Sequence, residues 1–352
     1  MRGRWLASLL LLTCSAGERI ERAQAKPAQA ARSAMREALQ SAEDTETPRA
    51  ARVKYVKEKL GIDREVVAPF VANATTIPAA DTTRKQKLAF IFLAFRELQW
   101  HGLWERFFKD APVGEYSIYI HQASAKPEKP EITLPLHRFG AIRVPRVKTA
   151  WCALFGVEVA TLFEALKDAT NAQFVFVSDS TVPLKNFAYV HKALMQVAPS
   201  SSKVCLAEPA VYHNVKAEVL RLEASHSCVF RDFYRAYNPR TMKHHQWLTL
   251  ARRHAEQVVV HAEAALNIYE STWVQAGPDL DMGEGCSDEA APLIALLTSL
   301  QAEGKSSGNT WTDLTRLGVE QDCLTYVRWR NCFSGTELDL NSGAVADFTT
   351  AL

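Results

Sequence analysis

Lys87-Leu88-Ala89-Phe90-Ile91-Phe92-Leu93-Ala94 is an unbroken apolar run of strand length behind a single lysine. Such a run suits a strand buried on both faces, as in a parallel sheet with helices on either side. Two further runs have the same character, Tyr116-Ser117-Ile118-Tyr119-Ile120-His121 and Gln173-Phe174-Val175-Phe176-Val177-Ser178. Between them, Gly102 to Lys109 places Leu103, Trp104, Phe107 and Phe108 at helical spacing, and Ala153 to Lys167 has helical composition. Strands alternating with helices predict an α/β domain with a mostly parallel central sheet flanked by helices. Ligands of such sheets bind beyond the carboxyl ends of the strands, so His121 and Ser178-Asp179-Ser180 are expected at the mouth. The segment after the first run, Phe95-Arg96-Glu97-Leu98, has no glycine. It offers neither a dinucleotide fingerprint nor a phosphate-binding loop, which argues against nicotinamide chemistry and P-loop nucleotide hydrolysis.

Upstream, Glu18 to Lys59 reads as helix with a break at Thr45 to Pro48, and Thr75 to Thr83, with Pro78, reads as a linker. Residues 18–84 are then either a helical stem or a cap packed on a domain at 85–352. Residues 1–17 carry Arg2 and Arg4, an apolar stretch from Trp5 to Leu12, and the small residues Cys14 to Gly17. That is the layout of a secretory signal peptide. About a dozen residues is short for a span, which needs ~20, so a short signal anchor is the alternative. Asn73-Ala74-Thr75 is a glycosylation sequon and agrees with exposure in the lumen of the secretory pathway. Of the seven cysteines, the six beyond Cys14 are free to pair there, and none forms a CxxC zinc motif. Neighbouring helix residues do not share a face, so His244-His245 reads as a polar surface pair rather than a ligand set. A net charge of +2 gives no basic footprint for nucleic acid. Arg252-Arg253 and Lys85-Gln86-Lys87 read as solvated edges of elements.

Several blocks, in order, resemble the Core-2/I-branching glycosyltransferases. Leu103-Trp104-Glu105-Arg106-Phe107-Phe108 matches the family's "LWERFF" helix, and residues 116–121 match its "YSIYVH" strand. Phe174-Val175-Phe176-Val177-Ser178-Asp179-Ser180-Thr181-Val182-Pro183-Leu184-Lys185-Asn186-Phe187 is similar to "FVLLSESCIPLFNF". Arg235 to Arg240 resembles "RYNPRM", His245-Gln246-Trp247 resembles "SQWF", Cys286-Ser287-Asp288-Glu289 resembles the "DEH" loop, and Leu324 to Trp329 resembles "LTWVDW". The resemblance implies a GT-A-like fold and inverting transfer of a sugar, N-acetylglucosamine from its UDP donor, to a glycan or glycoprotein hydroxyl in the Golgi lumen. A protein xylosyltransferase-like enzyme and an inactive carbohydrate-binding relative are the competing readings.

Inverting transfer requires a carboxylate to take the acceptor's proton and fixed positive charge to receive the departing diphosphate. The resemblance places the base at Glu289. Residues alone offer a plainer reading, because Asp288 and Glu289 open an apolar helix from Ala290 to Leu300 and carboxylates suit helix N-termini. Ala290 stands where the family has histidine or an aromatic residue. Arg328 and Arg330 are the candidates for the diphosphate, with the exposed face of a strand as the alternative. Ser178 and Asp179 occupy the place of a metal-binding DxD sequence with one carboxylate only. They are read as donor contacts, with no metal and no cofactor. His121 is expected to meet the nucleotide, and Gln246 and Trp247 to line the acceptor side. Each has a bland alternative, a satisfied edge histidine for His121 and core packing for Trp247.

Overall fold

The computed structural model describes residues 11–13, 48–95, 97–123, 135–197, 199–205, 244, 246–275, 286–306, 310–322 and 325–327. The elements run β1 (Leu11–Thr13), α1 (Pro48–Ala72), β2 (Lys87–Ala94), α2 (His101–Lys109), β3 (Tyr116–Gln122), β4 (Ile142–Arg143) and α3 (Phe155–Leu166). They continue with β5 (Asn171–Ser178), β6 (Thr181–Pro183), α4 (Phe187–His191), β7 (Ser202–Val204), β8 (Thr249–Ala251), α5 (Arg252–Val260) and α6 (Ala262–Gln275). A 3₁₀ turn at Ser287–Glu289 precedes α7 (Ala291–Ala302), α8 (Thr310–Leu317), β9 (Val319–Gln321) and β10 (Thr325–Val327).

The apolar run at 87–94 is the middle of the main sheet, whose order is β4-β3-β2-β5-β8-β7-β9. β2 pairs parallel with both β3 and β5, β3 with β4, and β7 with β9. β8 alone runs against its neighbours β5 and β7. Successive strand residues point to opposite faces, and β2 divides accordingly. Leu88, Phe90 and Phe92 enter an aromatic core with Trp104, Phe107 and Phe108 of α2, whereas Ala89 and Ile91 join the larger core under α1, α3, α5, α6 and α7. An alternating strand would have exposed one of these faces. This one is covered on both, as its unbroken apolar sequence predicts.

The helix expected to end near Lys59 continues to Ala72 and packs as a cap. Val56, Leu60, Asp63 and Val67 are buried at the three- and four-residue spacing of one helical stripe. Close contact with α3 depends on Gly156. A Cβ there would lie 2.9 Å from Val66 Cβ and 3.2 Å from Asp63 Oδ1, inside van der Waals contact.

Two sequence expectations need correction: His244, expected at the surface, is buried, and so is Arg252, expected in solvent. Arg252 is buried rather than solvated: its guanidinium donates to the carbonyls of Pro78, Leu166, Asp168 and Asn171 at 2.8–3.1 Å, and its Nε donates to Glu256. It thus caps the carbonyl end of α3, where a cation is favoured by the helix dipole. Lys87, from the other basic run, pairs with Asp168 at 2.8 Å. A separate three-stranded sheet, β10-β1-β6, draws on the segment read as a leader, with Leu11–Thr13 pairing parallel to Thr325–Val327 and antiparallel to Thr181–Pro183. No described helix is long and apolar enough to cross a membrane.

Candidate active site

β5 ends in a polar turn at the carboxyl edge of the sheet. Ser178 N–H donates to Thr181 Oγ1 at 2.9 Å, while Ser178 Oγ shares hydrogen bonds with Thr181 Oγ1 (2.9 Å) and Ser180 Oγ (3.0 Å). Asp179 reaches sideways. Its Oδ2 accepts the Phe95 N–H at 3.0 Å and its carbonyl accepts the Gln99 N–H at 3.0 Å. The turn after β5 is therefore stitched to the loop after β2, and Trp104 Nε1 adds a bond to Thr181 O at 2.9 Å.

Because β8 runs antiparallel to β5, the residues preceding it lie beside the carboxyl end of β5. Val175 stands opposite Thr249, and Leu248 O accepts the Phe176 N–H at 3.1 Å. Gln246 and Trp247 are thereby brought to the same mouth. Trp247 is half-buried against the main core, and Gln246 Nε2 is buried with no hydrogen-bond partner among the described residues. The same stretch holds Glu289, since His244 N–H donates to the Glu289 carbonyl at 2.7 Å. Glu289 sits on the 3₁₀ turn rather than in the helix that follows, and its side chain is half-buried. Ala290 is packed in the core.

His121 departs from expectation. It is 1% exposed, and its Nε2 accepts the Val147 N–H at 3.2 Å. Burial, with a smaller contribution from the nearby Arg146 charge, lowers its pKa to about 4, leaving the ring neutral at pH 7. The segment 144–147 covers the end of β3, so this histidine braces the mouth and does not open onto it. Arg146, which the sequence reading did not single out, lies on that covering segment, and Arg143, at the end of β4 just before it, donates to Gln122 Oε1 at 2.9 Å. Arg328 and Arg330 lie outside the described residues. Among the described residues, no group of three or more His, Cys, Asp or Glu side chains has metal-holding geometry.

A family model for the Core-2/I-branching enzyme matches residues 88–290. The chain belongs to this family. The matched span contains β3 to β8 and all of β2 but Lys87, together with the Ser178–Asp179 turn, Gln246, Trp247 and Glu289. Glycosyltransferase BC10 of Oryza sativa subsp. japonica is 29% identical over 200 residues, covering 55% of this chain and 45% of that protein. The match thus spans less than half the length of that relative. A solved structure, the mannosyltransferase PcManGT from Pyrobaculum calidifontis in complex with GDP-Man and Mn2+, aligns over 79% of this chain and 68% of its own, with 12% identity and a TM-score of 0.32.

In this Core-2/I-branching chain, two further carboxyls stand behind the Asp288–Glu289 turn. Asp63 of α1 accepts the Gly156 N–H at 2.8 Å through Oδ1 and the Ser287 Oγ–H at 2.5 Å through Oδ2. Glu158 of α3 is 2% exposed, and its Oε1 has no hydrogen-bond partner among the described residues. Burial, followed by the charges of Asp288, Asp63 and Glu289, holds the Glu158 pKa well above the carboxylate range. The Cys152–Cys286 disulfide ties the residue just before this turn to the segment leading into α3. Glu158 did carry a sequence signal, as an acid inside the apolar Phe155–Leu166 run. Asp63 carried a subtler one, an acid at a stripe position of α1.

Burial raises the Asp63 pKa from 3.8 to about 6, opposed by the hydrogen bonds from Ser287 and Gly156. The folded state then keeps this proton up to about pH 6, while the unfolded chain releases it near pH 3.8. Its stabilising contribution is present in full below pH 3.8 and is lost as pH rises through 6. The loss is about 3 kcal/mol at 1.36 kcal/mol per unit. Glu158 acts in the same direction. Urea denaturation of wild type and Asp63→Asn between pH 4 and 7 is expected to show a steeper fall in stability for wild type than for the variant, which keeps the Glu158 contribution. Parallel curves would refute the assignment.

Proposed function

We propose that the protein is an inverting glycosyltransferase that moves N-acetylglucosamine from a UDP donor to a hydroxyl of a glycan or glycoprotein. The observation that carries this reading is the Glu289 turn, whose carbonyl accepts the His244 N–H at 2.7 Å two residues before Gln246 and Trp247, which lead into β8 along the carboxyl end of β5. In the step, the acceptor oxygen forms a bond to the anomeric carbon as the bond to the diphosphate oxygen breaks. The hydroxyl proton passes to the Glu289 carboxylate and UDP departs with the bonding electrons. Ser178 and Asp179 serve the donor side and the Trp247 face the acceptor ring. Arg328 and Arg330 receive the diphosphate in place of a metal. Neutral and buried, His121 acts by holding the 144–147 segment.

Residence in the lumen of the secretory pathway, the Golgi in particular, accompanies this reading. Its supports are the Arg-flanked apolar N-terminus, which supplies a leader or short anchor, and the exposed Asn73 sequon at the end of α1. The test uses the chain produced through the secretory pathway of a eukaryotic host. Its mass is expected to fall on deglycosylation, and it is expected to release UDP from UDP-N-acetylglucosamine in the presence of EDTA. Preference for UDP-xylose would favour the xylosyltransferase reading. Activity lost in EDTA and restored by manganese would show that the donor site holds a metal. Failure of every UDP-sugar to raise the melting temperature would leave the non-catalytic reading.

A further inference from the structure

We propose that Asp63 is a positioning residue for the reaction. From α1, upstream of the family-matched residues, it holds the turn that presents Glu289. This inference rests on Glu289 being the base.

The geometry is specific. Asp63 is 1% exposed, yet it occupies a position in an otherwise apolar stripe of α1 where Val56, Leu60 and Val67 serve packing. A buried carboxyl there is costly unless its oxygens are satisfied. Both are: Oδ1 takes the Gly156 N–H in the first turn of α3, and Oδ2 takes the hydroxyl of Ser287. One side chain thus joins three elements, α1, α3 and the 3₁₀ turn. Ser287 is fully buried and immediately precedes Asp288–Glu289. The missing side chain at Gly156 is what lets α1 approach closely enough for the first of these bonds.

Backbone hydrogen bonds and a disulfide anchor the turn as well. Its backbone hydrogen bonds include Glu289 N–H to Cys286 O at 3.3 Å and Ala290 N–H to Ser287 O at 3.1 Å, and His244 N–H donates to the Glu289 carbonyl at 2.7 Å. The disulfide at Cys286 fixes where the turn starts, and Asp63 fixes the next residue. A base must stand within hydrogen-bond reach of the proton it removes, and a displacement of about 1 Å costs on the order of 10²-fold in rate. The helix that reads in sequence as a stem or a cap on this account positions the base.

The experiment compares wild type, Asp63→Ala, Asp63→Asn and Ser287→Ala, each alone and with Glu289→Gln. Hydrogen exchange at residues 286–290 reads the tie, UDP titration reads donor binding, and UDP release reads turnover. Asp63→Ala is expected to speed exchange at the Glu289 and Ala290 amides and to lower kcat by about 10²-fold. UDP affinity should be unchanged. Asp63→Asn, which keeps an acceptor for Gly156, should fall between the two. In the Glu289→Gln background, Asp63→Ala should cause no further loss, because a residue that acts only through another has nothing left to act on. If Asp63→Ala does not fold, Ser287→Ala removes the same bond from the other partner and carries the test. Unchanged exchange would overturn the tie. Full turnover in an Asp63→Ala protein that Glu289→Gln inactivates would overturn the positioning role. Full turnover in Glu289→Gln itself would instead overturn the assignment of the base, leaving the exchange result intact.

Discussion

Glu289→Gln is expected to reduce sugar transfer by about 10²–10⁴-fold, the range for loss of a general base. The substitution keeps the size and planarity of the side chain and removes only its capacity to take a proton. The turn keeps the anchors that do not involve this side chain: His244 N–H to the Glu289 carbonyl, Glu289 N–H to Cys286 O, and Ser287 to Asp63. Binding of UDP should be unaltered, since the carboxylate is assigned to the acceptor hydroxyl and not to the diphosphate. Asp288→Asn should be milder and act through placement of the turn. Arg328→Ala should do the converse and weaken UDP binding by removing a charge-assisted contact. Steady-state transfer together with calorimetric UDP titration separates these outcomes. Transfer by Glu289→Gln at the unmutated rate would move the base elsewhere, with Asp179 the next carboxylate to test.

Trp104→Ala is expected to destabilise the protein by about 3–5 kcal/mol, the usual cost of deleting a buried aromatic side chain. That is a large part of the 5–15 kcal/mol by which domains are typically stable. Trp104 is 1% exposed and lies 4.9 Å from the Phe92 ring centroid, 5.3 Å from Phe107 and 5.9 Å from Phe90 and Phe108. The first three contacts are edge-on, which suits the aromatic quadrupole. Its indole N–H also holds the Thr181 carbonyl, so the loss reaches the turn that carries Asp179. Trp104→Phe retains a ring but leaves that carbonyl without its donor, and should cost about 1–3 kcal/mol. Urea denaturation at constant pH measures both. A loss below about 1 kcal/mol for the alanine variant would mean that the aromatic core is not the support described here.

The apolar run at 87–94 was decisive because strand residues alternate in direction, so an unbroken run must be buried twice over. The structure divides it between two cores. The α2 stripe of Trp104, Phe107 and Phe108 was legible for the same kind of reason, a period that only one secondary structure satisfies. Arg252 was misread because charge type alone does not reveal that four carbonyls converge on a buried guanidinium. His121 was assigned correctly to the end of its strand, but the segment that covers it, 144–147, is joined to it only by tertiary contact.

By itself, then, the sequence determined the three central strands, the α2 and α3 helices, that the sheet is covered on both faces, and that His121 and Ser178–Asp179 stand at the carboxyl ends of their strands. These follow from periodicity and from ordered local blocks, information carried by neighbouring residues. Tertiary structure alone decided that residues 48–72 pack against α3 and α6, that Asp63 reaches Ser287 across 224 positions, and that Glu158 is buried among other carboxyls. Burial, pKa and hydrogen-bond partners depend on what the distant chain brings alongside, and no local pattern encodes that.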